Sequence, residues 1–195
     1  MGVDSDETPL LLARHRLSVA SYYRMAETGI LPAGERTELI DGEIIDMAPI
    51  GTRHAAMVSR LGRLIDTAAA GRFEVRSQNP LRLDENSQPE PDLLVVTWRE
   101  DFYAHAHPTA LDVKLLIEVA DTTLRYDMQV KLPLYARHGV PEVWVIDLEG
   151  GLLLRHRHPQ GGAFLQVDAL SKPGQLALLA GPDFVLDLTS LPLAL

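Results

Sequence analysis

The chain has no cysteine, which excludes disulfides and thiolate metal sites and agrees with a reducing compartment. It has no apolar run approaching the about 20 residues that a membrane-spanning helix requires. Its opening, MGVDSDETPL, is acidic where a secretory leader is basic and then apolar. A soluble, cytoplasmic protein is the expectation. No internal repeat, low-complexity tract or Pro/Gly-rich linker marks a domain boundary. Lysine is scarce: Lys114, Lys131 and Lys172 stand against fifteen arginines.

What is present is ordinary for a globular chain. Its 195 residues are 46% hydrophobic and 23% charged, which suits one domain with a substantial core. Residues 1–16 lack periodicity and read as a mobile or loosely docked tail, leaving 17–195 as a single domain. The formal net charge of −9 disfavours nonspecific nucleic-acid binding, which depends on basic side chains neutralising phosphates. The charge is segregated, however. Six arginines against Asp66 and Glu74 give +4 from Arg53 to Arg82, and six acids against Arg99 give −5 from Asp84 to Asp101. Two readings stay open: a phosphate-binding face beside a metal site, or a solvated helix face beside an acidic loop.

The pattern predicts a helix capped by Ser18 and stopped at Gly29, followed by a hairpin turning at Asp41-Gly42. Val58, Leu61, Leu64, Ile65 and Ala68 then recur at helical spacing, with Gly71 as a stop. Strand-like runs lie at 73–76, around 81–83, at 93–96 and at 115–119. A helix from about Asp127 to Arg137 ends at Gly139, with Pro133 predicting a kink. Further strands are expected at 143–146, 152–154, 164–167 and 175–179. Helices interrupting strands imply an α/β (α+β) fold with a mixed sheet flanked by helices.

Two carboxylates border apolar runs: Asp92 opens Leu93–Val96, and Glu118 closes Leu115–Ile117. An ion in such a setting is costly unless balanced by a cation. A hard ion such as Mg²⁺ is held by one or two carboxylates, so this pair would suffice; the alternative is strand-end residues facing water. Lys131 is a compact ammonium in a chain that otherwise prefers arginine, suited to steadying a nucleophilic water or developing charge, or else it pairs with Asp127 four residues earlier. Glu38 shares a hairpin face with Ile40, Glu43 and Ile45, and either lines a cleft or sits at an exposed edge. His54 either meets a phosphate at a helix N-terminus or is a surface or capping residue. His105, His107, His156 and His158 lack supporting ligands for zinc and are expected to face solvent.

The series Glu38–Glu43, Met47–Gly51 with His54, Gln78–Leu81, Pro91-Asp92, Glu118–Asp121, Tyr126-Asp127 with Lys131, Tyr135-Ala136 and Gly139–Asp147 resembles the Uma-type restriction-endonuclease-like family, a branch of the PD-(D/E)XK nuclease superfamily. The resemblance runs from Ser18 to Arg157. It implies Asp92 and Glu118 as Mg²⁺ ligands (Mn²⁺ as a substitute), Lys131 as the catalytic lysine, Glu38 as an additional acidic catalytic group, DNA as substrate and a homodimer. One departure is visible: the superfamily pattern wants lysine two residues after the glutamate, where this chain has Ala120, so the lysine has moved to the following helix. The expected function is a metal-dependent endonuclease hydrolysing DNA phosphodiester bonds. Its rival is a non-cutting binding or regulatory module on the same scaffold. A third reading, hydrolysis of small phosphoesters, calls for a closed pocket where a duplex needs an open groove.

Overall fold

The runs Leu93–Val96, Leu115–Ile117 and Val143–Ile146 have no polar side to turn toward water, and all of them are buried at the centre of one sheet. In the computed structural model, which describes residues 14–179 and 181–193, the chain forms α1 (Val19–Glu27), β1 (Thr37–Ile40), β2 (Glu43–Asp46), α2 (Thr52–Ala69), β3 (Phe73–Ser77), β4 (Leu93–Thr97), β5 (Val113–Ala120), α3 (Leu124–Tyr126), α4 (Leu132–Arg137), β6 (Glu142–Asp147), β7 (Leu152–Gln160), β8 (Ala163–Leu170), β9 (Gln175–Leu178) and β10 (Gly181–Asp187). A π-helical stretch, Asp127–Lys131, joins α3 to α4 without a break.

The sheet runs β3-β4-β5-β6-β7-β8. Its one parallel pair is β5–β6, connected by the α3–α4 crossover that a parallel pair requires. On one face α2 lays Met57, Leu61 and Ile65 against Leu93, Ile117 and Trp144, and the β9–β10 pair extends that layer through Leu178 and Phe184. On the other face Tyr135 of α4 packs with Leu94, Leu116 and Val143. The expected mixed sheet with helices on both sides is thus the fold.

The β1–β2 turn has Asp41 at φ 51° and Gly42 at φ 78°, the left-handed pair whose twist matches a two-residue hairpin. Gly42 is required for a second reason. A Cβ there would fall 2.5 Å from Cβ of Arg16, because the incoming chain crosses the turn and the Leu17 amide donates to the Gly42 carbonyl at 3.0 Å. Of the expected tail, residues 1–13 lie outside the described residues, while Arg14 pairs with Glu43 and Arg16 donates to the Asp41 carbonyl.

Two elements differ from expectation. The run at 81–83 forms only a single bridge, Arg82 to Thr109. Its backbone is taken up in a tight loop, with the Leu81 amide bonded to Pro89 and the Leu83 amide to Ser87. Strand β10 lies beyond the last expected strand at 175–179, and its Phe184 and Leu186 are buried against the core.

Glu142, wholly buried at the start of β6, ties this last layer to the sheet. Its Oε1 accepts from the Trp144 indole at 2.8 Å and its Oε2 from the Leu179 amide at 2.7 Å. Replacing Glu142 by Ala leaves both donors unpaired and is expected to cost about 2–3 kcal/mol in urea unfolding. Glu142→Gln, which keeps an acceptor, is expected to cost less. An alanine variant with the parent's unfolding midpoint would rule out a stabilising role for this link.

Candidate active site

Side chains alternate along β4 and β5, so Asp92 projects on the side of Leu94 and Val96, and Glu118 on the side of Leu116 and Ala120. Both carboxylates therefore reach the face covered by α4. The antiparallel register pairs Leu93 with Ile117, which brings Asp92 opposite Glu118 one step further along. Backbone donors then fix them: the Val119 amide bonds to Asp92 Oδ2 at 2.8 Å, and the Asp92 amide bonds to Glu118 Oε2 at 3.4 Å.

Lys131 descends onto this pair from the helix above. Its Nζ donates to Glu118 Oε1 at 3.3 Å and pairs with Glu38 Oε2 at 3.2 Å. The alternative pairing of Lys131 with Asp127 does not form, and the stretch is π-helical: the Leu132 amide bonds to the Asp127 carbonyl five residues back. Asp127 instead accepts from the Thr123 hydroxyl at 2.7 Å. Ala120 is buried in the core cluster on the same face, and the ammonium reaches Glu118 from the opposite wall.

Glu38, only 2% exposed, is a cleft residue and not an edge one. It also accepts from the Glu90 amide at 3.1 Å and faces the Tyr126 hydroxyl at 3.5 Å. His54, at the start of α2, points its Nε2 at Asp92 Oδ1 at 3.0 Å. Gln78 donates to the same oxygen at 3.4 Å, and Tyr135 donates to Glu118 Oε1 at 2.5 Å. The structure thus gathers Asp92, Glu118, Lys131 and Glu38 around one cavity of about 350 Å³. Tyr135, Tyr126 and Gln78 were not singled out as site residues, although each lies in a segment carrying the family resemblance.

The electrostatics follow from burial. Burial drives the Glu118 carboxyl up, Lys131 pulls it back, and Asp127 and Asp92 push it up again, leaving it at about 8. For Lys131, burial favours losing the proton, but Glu118, Glu38, Asp127 and Asp92 outweigh it and hold the ammonium above its ordinary range. Asp127 is raised chiefly by burial. Burial and the neighbouring Glu118 and Glu38 keep Tyr135 protonated and therefore a donor. The hydrogen bond to Asp92 raises His54 against the opposing effect of its burial.

Among the described residues, no group of three or more His, Asp or Glu side chains converges closely enough to cage a metal alone. Mg²⁺ does not need one, since it keeps several waters and takes one or two carboxylates. Here the residues fit such an ion: Asp92 and Glu118 offer hard oxygen donors, and the cavity's buried carboxyls outnumber its single buried ammonium.

Two other expectations need correction or refinement. His156 does not face solvent; it is 2% exposed, cross-strand from Val167 and beside Phe164, and burial lowers its pKa. The basic segment is partly consumed internally. Arg53 pairs with Asp121 at 3.2 Å, Arg76 pairs with Glu74, and Arg72 lies over Phe184. Arg60 and Arg63 stay exposed on α2.

The fold and its paired carboxylates define a nuclease-like domain. Residues 19–189 match the Uma2 family, described as "Putative restriction endonuclease", and the chain belongs to that family. No curated protein matches it. A crystal structure described as "a putative nuclease belonging to DUF820" from Anabaena variabilis is similar in fold, with TM-score 0.63 and 18% identity over 91% of this chain and 97% of that one. No described helix is long and apolar enough to cross a membrane.

The raised Glu118 carboxyl sets a pH dependence. Unfolded, it titrates near 4.5; folded, near 8. Between these values the folded chain holds a proton that the unfolded chain has released, so stability falls as pH rises, by up to about 1.4 kcal/mol per pH unit. Urea unfolding in EDTA at pH 5 to 8 is expected to show this decline in the parent and a shallower one below about pH 6.5 in Glu118→Gln, where the raised Asp127 and Glu90 carboxyls still contribute. The share from the raised His54, present below its unfolded value of 6.5 and lost above it, remains in both. Identical slopes below that pH would contradict the assignment.

Proposed function

We propose that the chain is a Mg²⁺-dependent endonuclease, with Mn²⁺ as a substitute, that hydrolyses DNA phosphodiester bonds at this cavity. The reading is carried by one observation: Asp92, Glu118 and Lys131, from three separate elements, meet at one spot. Asp92 and Glu118 would hold the ion. When bound, it supplies Lewis-acid polarisation of a phosphate oxygen and acidifies water.

The protein's own groups do the rest. Lys131, held charged by the acids around it, offers its ammonium to a nucleophilic water or to negative charge building on the phosphate. Glu38 orients that ammonium. His54, Gln78 and the Val119 amide hold Asp92 in one rotamer, and Tyr135 does the same for Glu118. Burial strengthens each of these interactions by keeping bulk water out. A non-cutting module on this scaffold is the second reading, favoured by the net charge of −9 and by Ala120.

The test is incubation of circular DNA, both supercoiled plasmid and single-stranded circles, with purified protein in Mg²⁺, Mn²⁺ or EDTA. Cleavage is expected with either metal and absent in EDTA. Asp92→Ala and Lys131→Gln, checked for folding by circular dichroism, are expected to be slower by about 10²-fold or more. Equal cleavage by parent and Asp92→Ala would assign the activity to a contaminant and favour the module.

A further inference from the structure

We infer that the substrate entering this cavity is unpaired DNA, a single strand or a locally opened duplex, and not an intact double helix. The inference rests on the nuclease reading. Its first support is shape. The reactive groups lie deep, with Glu118 3%, Lys131 5% and Glu38 2% exposed. The hairpin β1–β2, the segment Met47–Gly51, the Asp121–Thr123 turn and the crossover helix wall the space above them. The cavity's volume of about 350 Å³ is at the small end of pockets that take one small organic ligand, about 300–1,000 Å³. A duplex is a stiff convex rod, and lowering one of its phosphates to Glu118 drives the flanking backbone into those walls. A single strand can kink a single phosphodiester inward.

Charge gives the second support. Asp46, Glu90 and Asp121 join Glu38, Asp92, Glu118 and Asp127 to place seven carboxyl side chains on the lining, against Arg36, Lys131 and the titratable His54. Duplex DNA carries one negative charge per about 1.7 Å of axis, so seating its two strands across this mouth sets many phosphates against many acids. One inserted phosphodiester meets Lys131 and Arg36 with its neighbours left in solvent. The rim supplies the third support: Ile50 is 44% exposed, next to Met47, Ala48 and Pro49, and offers apolar surface to an unstacked base.

One labelled sequence distinguishes the outcomes, presented with Mg²⁺ or Mn²⁺ as a single strand, as a blunt duplex and as a duplex with a central unpaired bubble, with Asp92→Ala as control. The single strand is expected to be cut at least about tenfold faster than the blunt duplex, and cuts in the third substrate are expected to fall within the bubble. Blunt duplex cut as fast as single strand would overturn the inference and leave the nuclease reading intact. Failure of the parent protein to cut any of the three would overturn both.

Discussion

Everything at the candidate site is organised by one buried ammonium. Lys131 is 5% exposed and lies between Glu38 and Glu118. It offsets part of the cost of enclosing the two acids, since an unpaired buried ion costs several kcal/mol. The three residues come from the hairpin, the central strand β5 and the crossover helix, so this interaction fixes how those three elements meet. The hairpin is also held by backbone bonds, among them the Gln88 amide to the Leu39 carbonyl and the Gly42 amide to the Asn86 carbonyl, each at 2.7 Å. The ion pair therefore shapes the cavity as well as charging it.

The charge arrangement also explains why one carboxyl is raised so far. One ammonium cannot balance Glu38, Asp92, Glu118 and Asp127 together, and burial, with Asp127 and Asp92 nearby, carries the Glu118 carboxyl up to about 8. A proton and a divalent cation are alternative ways of relieving the same excess of negative charge, so an ion held by Asp92 and Glu118 would compete with a proton on Glu118. Tyr135 and the Asp92 amide already hold the Glu118 oxygens in place. Such preorganisation lets one charge replace another without rearranging the pocket.

Much of this was legible in the sequence because the informative residues break a local rule. Glu118 inside Val113–Ala120 is a charge where an apolar residue belongs, and Lys131 is a lysine in an arginine-rich chain. The Asp41-Gly42 turn and the helix ends at Gly29 and Gly71 obey backbone rules that need no tertiary information. What could not be read was whatever depends on three-dimensional neighbours. Glu38 sits on a face that alternation leaves ambiguous, and only the crossover helix decides that it is buried. His156 sits among polar residues, His-Arg-His-Pro, whose pattern conceals the cover that Phe164 gives it. Strand β10 begins with turn-forming residues and gains its place by docking Phe184 and Leu186 on a core built elsewhere in the chain.

The position of the lysine has its own local cause in the crossover helix. Pro133 stands in the first turn of α4, where it has no amide to donate and its ring crowds the carbonyl four residues before it, that of Gln129. Widening the preceding turn relieves that crowding, and the turn observed there is the π-helical Asp127–Lys131. In a regular α-helix Asp127 and Lys131 would lie on one face and satisfy each other. Here Asp127 accepts from Thr123 instead, and Lys131 reaches down to Glu118. The crossover helix therefore supplies the ammonium that the strand position occupied by Ala120 does not.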